Sequence, residues 1–175
     1  MIIKILHLTC LSTVLLIGCH KPSSPEAELE TMTRKVSSEF SDVSEISTQD
    51  LAAWLADPAR VHPQLLDVRE PDEYAVSHLS GAIQVPPDAT SDQLIDKIDF
   101  SKPVVLYCSV GYRSSVLARR LISAGAEQVM NLEGSIFKWA NEGRPMFRDK
   151  APADKVHPYN RNFSRMLHPD LLPDP

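Results

Sequence analysis

Cys108 ends the apolar run Val104-Val105-Leu106-Tyr107 and opens the segment C-S-V-G-Y-R, residues 108–113, which passes into a helical pattern. A sulfur placed where a buried strand feeds a helix N-terminus faces backbone N–H groups that have no partner inside the helix. Gly111 lets the chain turn through angles closed to other residues, so that successive amides can point inward as an anion-binding nest. A free thiol titrates near 8.5, and a helix N-terminus, such a nest and a nearby arginine can lower that to about 3.5–7.5. Arg113 supplies the charge, and its planar fork of donors suits an oxyanion such as a sulfonate or phosphate. The chemistry expected is nucleophilic attack by a stabilised thiolate.

Positioning that atom requires a strand that ends in the interior. Residues 103–108 have the continuous apolar character of a central strand buried on both faces. Strands are also predicted at 44–47, 64–68, 82–85 and 128–132. Between them fall helical patterns from Thr48 (Leu51, Trp54, Leu55 inward), over 71–79, over 91–98 (Leu94, Ile95, Ile98 inward) and over 114–124 (Val116, Leu117, Leu121, Ile122), which Gly125 stops. A last core helix over 135–141 carries Ile136, Phe137 and Trp139. Strands alternating with helices predict an α/β protein with a central, mostly parallel, five-stranded sheet covered on both faces, and in such sheets sites lie at the carboxyl ends of strands. Cys108 falls at one of those ends.

The flanks differ from this core. Ser24-Pro25-Glu26 reads as a helix start, and Leu29, Met32, Val36 and Phe40 follow at spacings of three and four, a narrow stripe expected to pack on the domain. After Arg144, 6 of the last 31 residues are proline, which forbids long helices and central strands. Tyr159, Phe163, Met166 and Leu167 in that stretch are expected to dock as a short amphipathic turn.

Residues 1–18 combine a positive start at Lys4 with a mostly apolar run, a signal-peptide pattern too short and weakly flanked for a spanning helix. Leu16-Ile17-Gly18-Cys19 resembles the lipobox of bacterial lipoproteins, whose cysteine becomes the lipidated N-terminus. The organisation expected is therefore a signal peptide at 1–18, lipidated Cys19 with a tether and helix at 19–43, a core domain at 44–146 and a proline-rich extension at 147–175. With Cys10 removed and the sulfur of Cys19 carrying lipid, Cys108 is the one free thiol left, in an oxidising compartment where structural cysteines normally pair. The expected location is the cell envelope, facing the periplasm. His20 in place of an aspartate after Cys19 points to the outer membrane in bacteria that follow that sorting convention.

Four stretches carry a family resemblance: L-L-D-V-R-E-P-D-E-Y at 65–74, S-H-L-S-G-A-I-Q-V-P at 77–86, V-V-L-Y-C-S-V-G-Y-R-S at 104–114 and N-L-E-G-S-I-F-K-W at 131–139. In this order and spacing the chain resembles a single-domain rhodanese over about residues 44–146. The resemblance implies the three-layer rhodanese-like fold and a thiosulfate sulfurtransferase activity. A cysteine takes the outer sulfur of a donor such as thiosulfate as a persulfide and passes it to cyanide or a thiol. Carried onto this sequence, Cys108 is the nucleophile, the amides of Ser109, Val110, Gly111, Tyr112 and Arg113 stabilise its thiolate and persulfide, and Arg113 contacts the donor's sulfonate. Asp67 and Arg69 brace neighbouring loops. No metal or organic cofactor is implied.

Related phosphatases and arsenate reductases of this fold use a seven-residue loop ending in arginine; Cys108 to Arg113 counts six, which favours sulfur over phosphate. The alternative of another class is a rhodanese-fold sulfur carrier or binding module without meaningful turnover at the cell envelope. Among other polar residues, Glu70, Asp72 and Glu73 are expected to form a solvated acidic helix start. His78 is expected to hydrogen-bond at a turn, and Arg119 and Arg120 to offset a helix dipole and meet solvent. His62, His157 and His168 each precede a proline and are scattered, which argues against a metal site. A net charge of −5 with no basic face argues against nucleic acid as a partner; the partners expected are small sulfur donors, thiol or cyanide acceptors, and the membrane through Cys19.

Overall fold

The computed structural model describes residues 23–94 and 97–174. The expected signal peptide, Cys10, Cys19 and the inward Ile95 lie outside the described residues. Five strands, β1 (Ser44–Ile46), β2 (Gln64–Asp67), β3 (Ile83–Gln84), β4 (Val104–Tyr107) and β5 (Val129–Leu132), form one sheet in the order β1-β5-β4-β2-β3, and every pairing is parallel. This is the α/β architecture expected from the alternation of strands and helices. The helices are α1 (Pro25–Glu39), α2 (Thr48–Ala56), α3 (Pro71–Val76), α4 (Ser91–Leu94), α5 (Tyr112–Ser123) and α6 (Ser135–Asn141).

β4 is central and buried along its whole length. Its alternation divides the interior in two. Val105 and Tyr107 join the apolar cluster on one face, with Leu65, Leu132, Ile136 and Phe137. Val104, Leu106 and Cys108 join the cluster on the other, with Leu66, Val68, Leu117 and Leu121. Packing on both sides fixes the register of β4, because a one-residue slip would exchange the two sets of side chains. It thereby fixes the face from which the sulfur of Cys108 projects.

α1 begins as its sequence predicts: Ser24 caps it by accepting from the N–H of Ala27, Pro25 occupies the first turn, and Glu26 and Glu28 favour the positive helix end. Its stripe docks on the domain through buried Leu29, Val36 and Phe40, while Met32 is only half-buried. The C-terminal extension also packs. A two-stranded antiparallel pair, β6 (Met146–Arg148) and β7 (Ala151–Ala153), bridges to the main domain through reciprocal bonds between His78 and Phe147, both 2.8 Å. Two 3-10 turns, Ser164–Met166 and Pro169–Leu171, follow, and Met166 and Leu167 bury in the core.

Several boundaries and exposures differ from the sequence reading. α3 stops at Val76, because Ser77, extended at φ −167°, turns the chain toward the bridge with Phe147. β3 is confined to two residues at the sheet edge, where a single neighbour, β2, supplies hydrogen bonds. Ile122, expected inward on α5, is exposed, and the buried face is carried by Leu117, Ala118 and Leu121. Arg119 reaches Asp42 and Glu39 across the surface and lies over the Phe40 ring, which ties α5 to α1.

Candidate active site

Cys108 leaves β4 as a residue 1% exposed, at the bottom of a loop that the next two helices grip. Gly111 stands at φ +104°, a left-handed conformation, and turns its N–H back onto the Cys108 Sγ at 3.2 Å. Glycine is required there on two counts: a Cβ would also lie 3.1 Å from the Asn131 side-chain nitrogen. The Gly111 carbonyl is held by the Ser115 N–H (3.1 Å), the Ser115 hydroxyl (2.8 Å) and the Ser114 hydroxyl (3.1 Å), so the turn is fastened to the start of α5.

α6 grips the loop from the other side. The N–H groups of Ile136 and Phe137 donate to the carbonyls of Cys108 (3.2 Å) and Ser109 (3.1 Å), and the Ser135 hydroxyl accepts from the Cys108 N–H at 3.1 Å. Asn131, at the end of β5, accepts from the Ser114 hydroxyl at 2.7 Å. Ser114, Asn131 and Ser135 are all buried and form a polar frame beneath the sulfur. No motif reading of 108–113 identifies them, although Asn131 and Ser135 lie in the matching stretch 131–139.

Arg113 sits in the first turn of α5, the positive end of that helix, where a cation is disfavoured. Glu73 of α3 compensates it. Arg113 donates from its two terminal nitrogens to the two carboxylate oxygens of Glu73 at 2.7 and 2.8 Å, and a third bond, 3.0 Å, reaches the Ser109 hydroxyl. The Ser109 hydroxyl donates to the same carboxylate at 3.0 Å, and the Glu70 N–H closes a capping box on it at 3.1 Å. Glu73 is therefore a correction to the sequence reading. It is buried rather than solvated, because the cation of the cysteine loop needs a partner and the first turn of α3 meets that loop. Glu70 and Asp72 remain exposed, as expected of a helix start.

These charges set the ionisation of the site. Burial pushes the Cys108 thiol up, but the charge of Arg113, the N–H and hydroxyl of Ser114 and the N–H of Gly111 together outweigh it, and the thiol lies below its ordinary value. Burial likewise pushes the Glu73 carboxyl up; hydrogen bonds and charge from Arg113, aided by the Glu70 N–H and the Ser109 hydroxyl, hold it below the usual carboxylate range. Gly111, one of the five amides of residues 109–113, donates directly to the sulfur, and Ser114, one residue past the loop, adds to the lowering of the thiol.

Asp67 and Arg69 form a fully buried pair at the carboxyl end of β2: the Arg69 Nε donates to Asp67 at 2.8 Å and its terminal nitrogen at 2.5 Å, while the same nitrogen reaches the Ser77 carbonyl at 2.6 Å. They tie the turn after α3 to the sheet. His78 has its Nδ1 3.1 Å from the Tyr74 carbonyl and stacks on the Tyr74 ring at 3.9 Å. Tyr112 turns outward, its hydroxyl donating to Glu39 at 2.9 Å and its ring meeting Phe40 edge-on. Among the described residues no three His, Cys, Asp or Glu side chains are grouped to hold a metal ion.

An open cavity of about 250 Å³ stands over the sulfur, bounded by Val110 and Arg113 of the loop, Met32 and Lys35 of α1, and Tyr159 and Phe163 of the extension. Three other cavities, of about 430, 440 and 570 Å³, do not include the cysteine; the first lies between α1 and α6 and carries four glutamates. The cavity over Cys108 is the candidate active site, because it alone of these four reaches the nucleophile.

A parallel five-stranded sheet with a cysteine loop at the end of its central strand defines a class, and the comparisons agree with it. The model of the rhodanese-like domain family matches residues 47–142, and the chain belongs to that family. It is 35% identical over 104 residues to a sulfurtransferase of Allochromatium vinosum, covering 59% of this chain and 94% of that protein. It is 31% identical over 103 residues to the "Probable adenylyltransferase/sulfurtransferase MoeZ" of Mycobacterium tuberculosis, covering 58% of this chain but 26% of that one. The chain therefore spans about a quarter of the MoeZ length. A rhodanese-like domain protein from Staphylococcus aureus superposes with a TM-score of 0.51 at 26% identity, over 58% of this chain and 95% of that one. The BH2092 protein from Bacillus halodurans, at 19% identity, shares the fold with a TM-score of 0.56 over 78% of this chain and 94% of its own.

Proposed function

We propose that this chain is a sulfurtransferase that stores one sulfur on Cys108. The observation that carries the reading is the Cys108 sulfur itself, which accepts the Gly111 N–H at 3.2 Å beside Arg113 and is held below the ordinary thiol range. The thiolate attacks the outer sulfur of thiosulfate or another sulfane donor. A new S–S bond forms to Cys108 as the donor's S–S bond breaks, and the electron pair of the broken bond leaves on sulfite. The outer sulfur of the persulfide is then attacked by cyanide or a thiol, which returns the Cys108 thiolate. The Gly111 N–H and the N–H and hydroxyl of Ser114 favour the anionic form at each stage without a proton transfer.

Intact mass after incubation with thiosulfate tests this. A one-sulfur adduct on the native chain, absent from Cys108→Ser, is expected. No adduct with thiosulfate, polysulfide or a thiosulfonate would sink the reading. The near-complete burial of the sulfur favours one alternative, a sulfur carrier that does not turn over. Steady release of thiocyanate, many equivalents per chain, separates the catalyst from that carrier.

The cellular setting is part of the proposal. Leu16-Ile17-Gly18-Cys19 supports export followed by lipidation of Cys19, with the rhodanese domain tethered at the periplasmic side of the cell envelope. Labelling of the full chain in cells with a fatty-acid probe is expected, and a label that survives Cys19→Ser would remove the anchor from the proposal.

A further inference from the structure

Four of the nine residues that line the cavity come from outside the family match. Met32 and Lys35 belong to α1, Tyr159 and Phe163 to the extension, and all four lie beyond residues 47–142. These flanks are fixed to one another and to the core. Arg165 pairs with Glu28 of α1 at 2.6 Å, His168 bonds to Glu26, and the Asn141 side chain at the end of α6 bonds to the Met166 carbonyl at 2.8 Å and the His168 N–H at 3.1 Å.

The turn that presents the two aromatic rings is built rather than loose. The Asn160 side chain accepts from the N–H groups of Asn162 and Phe163 at 2.9 and 3.2 Å, and the His157 ring accepts from the Tyr159 N–H at 3.1 Å. Tyr159 is held at φ +63°, a conformation that bulky side chains rarely adopt, and observed strain of this sort concentrates at binding sites. Its ring lies 4.7 Å from the Arg113 guanidinium and meets Phe163 edge-on at 5.2 Å.

The charge at the rim is also specific. Arg113 already commits three of its N–H groups to Glu73 and Ser109. Lys35 is the second cation on the cavity, is exposed, and forms no ion pair among the described residues. The site thus offers a sulfur at its floor, apolar surface from Met32, Val110, Phe163 and the rings of Tyr112 and Tyr159, and one uncommitted cation. At about 250 Å³ it has several times the share of a single water, roughly 30 Å³. A small dianion set against such walls would lose hydration that one uncommitted cation replaces only in part.

We infer that the flanks select the donor, and that it is an organic thiosulfonate: a sulfane donor with one negative charge on an apolar body. This rests on the reading of Cys108 as the sulfur acceptor. The organic group lies against Met32, Tyr159 and Phe163, and the sulfonyl oxygens face Lys35. The Cys108 thiolate attacks the outer sulfur of R–SO2–S⁻, forming the Cys108 S–S bond and breaking the donor S–S bond. The electron pair leaves on the sulfinate R–SO2⁻, so one thiolate and one thiosulfonate give one persulfide anion and one sulfinate. Lys35 faces the charge that gathers on that leaving group. Lys35, Tyr159 and Phe163 are specificity-determining residues under this proposal.

The test is single-turnover persulfide formation by the full chain with benzenethiosulfonate, thiosulfate and glutathione persulfide, followed by intact mass. The native chain is expected to prefer benzenethiosulfonate over both others in second-order rate constant. Tyr159→Gly, whose glycine accepts the positive φ and so keeps the fold, is expected to lower the benzenethiosulfonate-to-thiosulfate ratio about tenfold. Lys35→Gln, at an exposed position, is expected to weaken benzenethiosulfonate binding about twofold to fivefold. A native ratio at or below one, a ratio unmoved by Tyr159→Gly, or faster reaction with glutathione persulfide overturns the donor assignment while leaving sulfur transfer at Cys108 standing. No persulfide with any of the three donors would instead remove the reading on which it rests.

Discussion

The Arg113 guanidinium meets the Glu73 carboxylate through two bonds of 2.7 and 2.8 Å, and Glu73 spends its remaining acceptor capacity on the Ser109 hydroxyl and the Glu70 N–H. One buried carboxylate thus fastens the end of the cysteine loop to α3. Bidentate pairs of this kind fix orientation as well as charge. The consequence is a cation held beside Cys108 at a set angle, with the strength of its field on the sulfur moderated by its own counter-ion.

Glu73→Gln keeps the shape of that side chain and removes its charge. Arg113 then stands partly buried without a counter-ion, and the loss expected is about 2 kcal/mol of folding stability, typical of a hydrogen bond to a charged group. Urea denaturation of the two proteins measures it, and a change within a few tenths would mean that the pair is dispensable.

The ionisation of Cys108 predicts a pH dependence. Its thiol is lowered relative to the unfolded chain, so its contribution to stability is fully present above the free-thiol value of about 8.5 and is lost as the pH falls through the folded value. Alkylation by iodoacetamide is expected to reach its half-maximal rate at a pH below that of a free cysteine. Arg113→Gln should move the midpoint upward. An unchanged midpoint in that variant would show that the amides of Gly111 and Ser114, not the guanidinium, set the thiol.

At Gly111 the expected effect of alanine is twofold. The positive φ of +104° costs an L-residue about 1–2 kcal/mol, and the new Cβ would press on Asn131. Stability should fall by about that amount, and persulfide formation should fall with it, because the Gly111 N–H loses its aim at the sulfur. Full activity in Gly111→Ala would contradict the role of this amide.

Removing everything after Arg144 is expected to unfold the protein rather than simply open the cavity. Met146, Val156, Met166 and Leu167 are buried, and exposing each such side chain costs about 1.5–3 kcal/mol against a total stability of about 5–15 kcal/mol. Circular dichroism of the truncated chain decides between the outcomes; a native spectrum with a sharp thermal transition would show that the extension is an accessory.

The sheet and its central strand were legible because β4 is apolar throughout and glycines stand at the turns, so the period and the punctuation agree. The position of Cys108 followed from the end of that run. Glu73 was not legible as a site residue: an acid at a helix start is explained by the dipole alone, and its burial depends on Arg113, 40 residues away in sequence. The small antiparallel pair β6–β7 was hidden by Pro145 and Pro152, which argue against a central strand but not against a short edge pair. Tyr159 and Phe163 showed their tendency to dock, yet nothing in their spacing tells which face receives them. That depends on α1, which meets them only in three dimensions.

The contact between Glu26 of α1 and His168 of the extension joins residues 142 positions apart. During synthesis, then, α1 emerges long before its partner, and because Val156, Met166 and Leu167 belong to the same apolar cluster as Val105 and Tyr107 of β4, the core is not closed until the extension has followed. The nucleophile and the enclosure that sorts one donor from another are therefore completed together, late in the making of the chain.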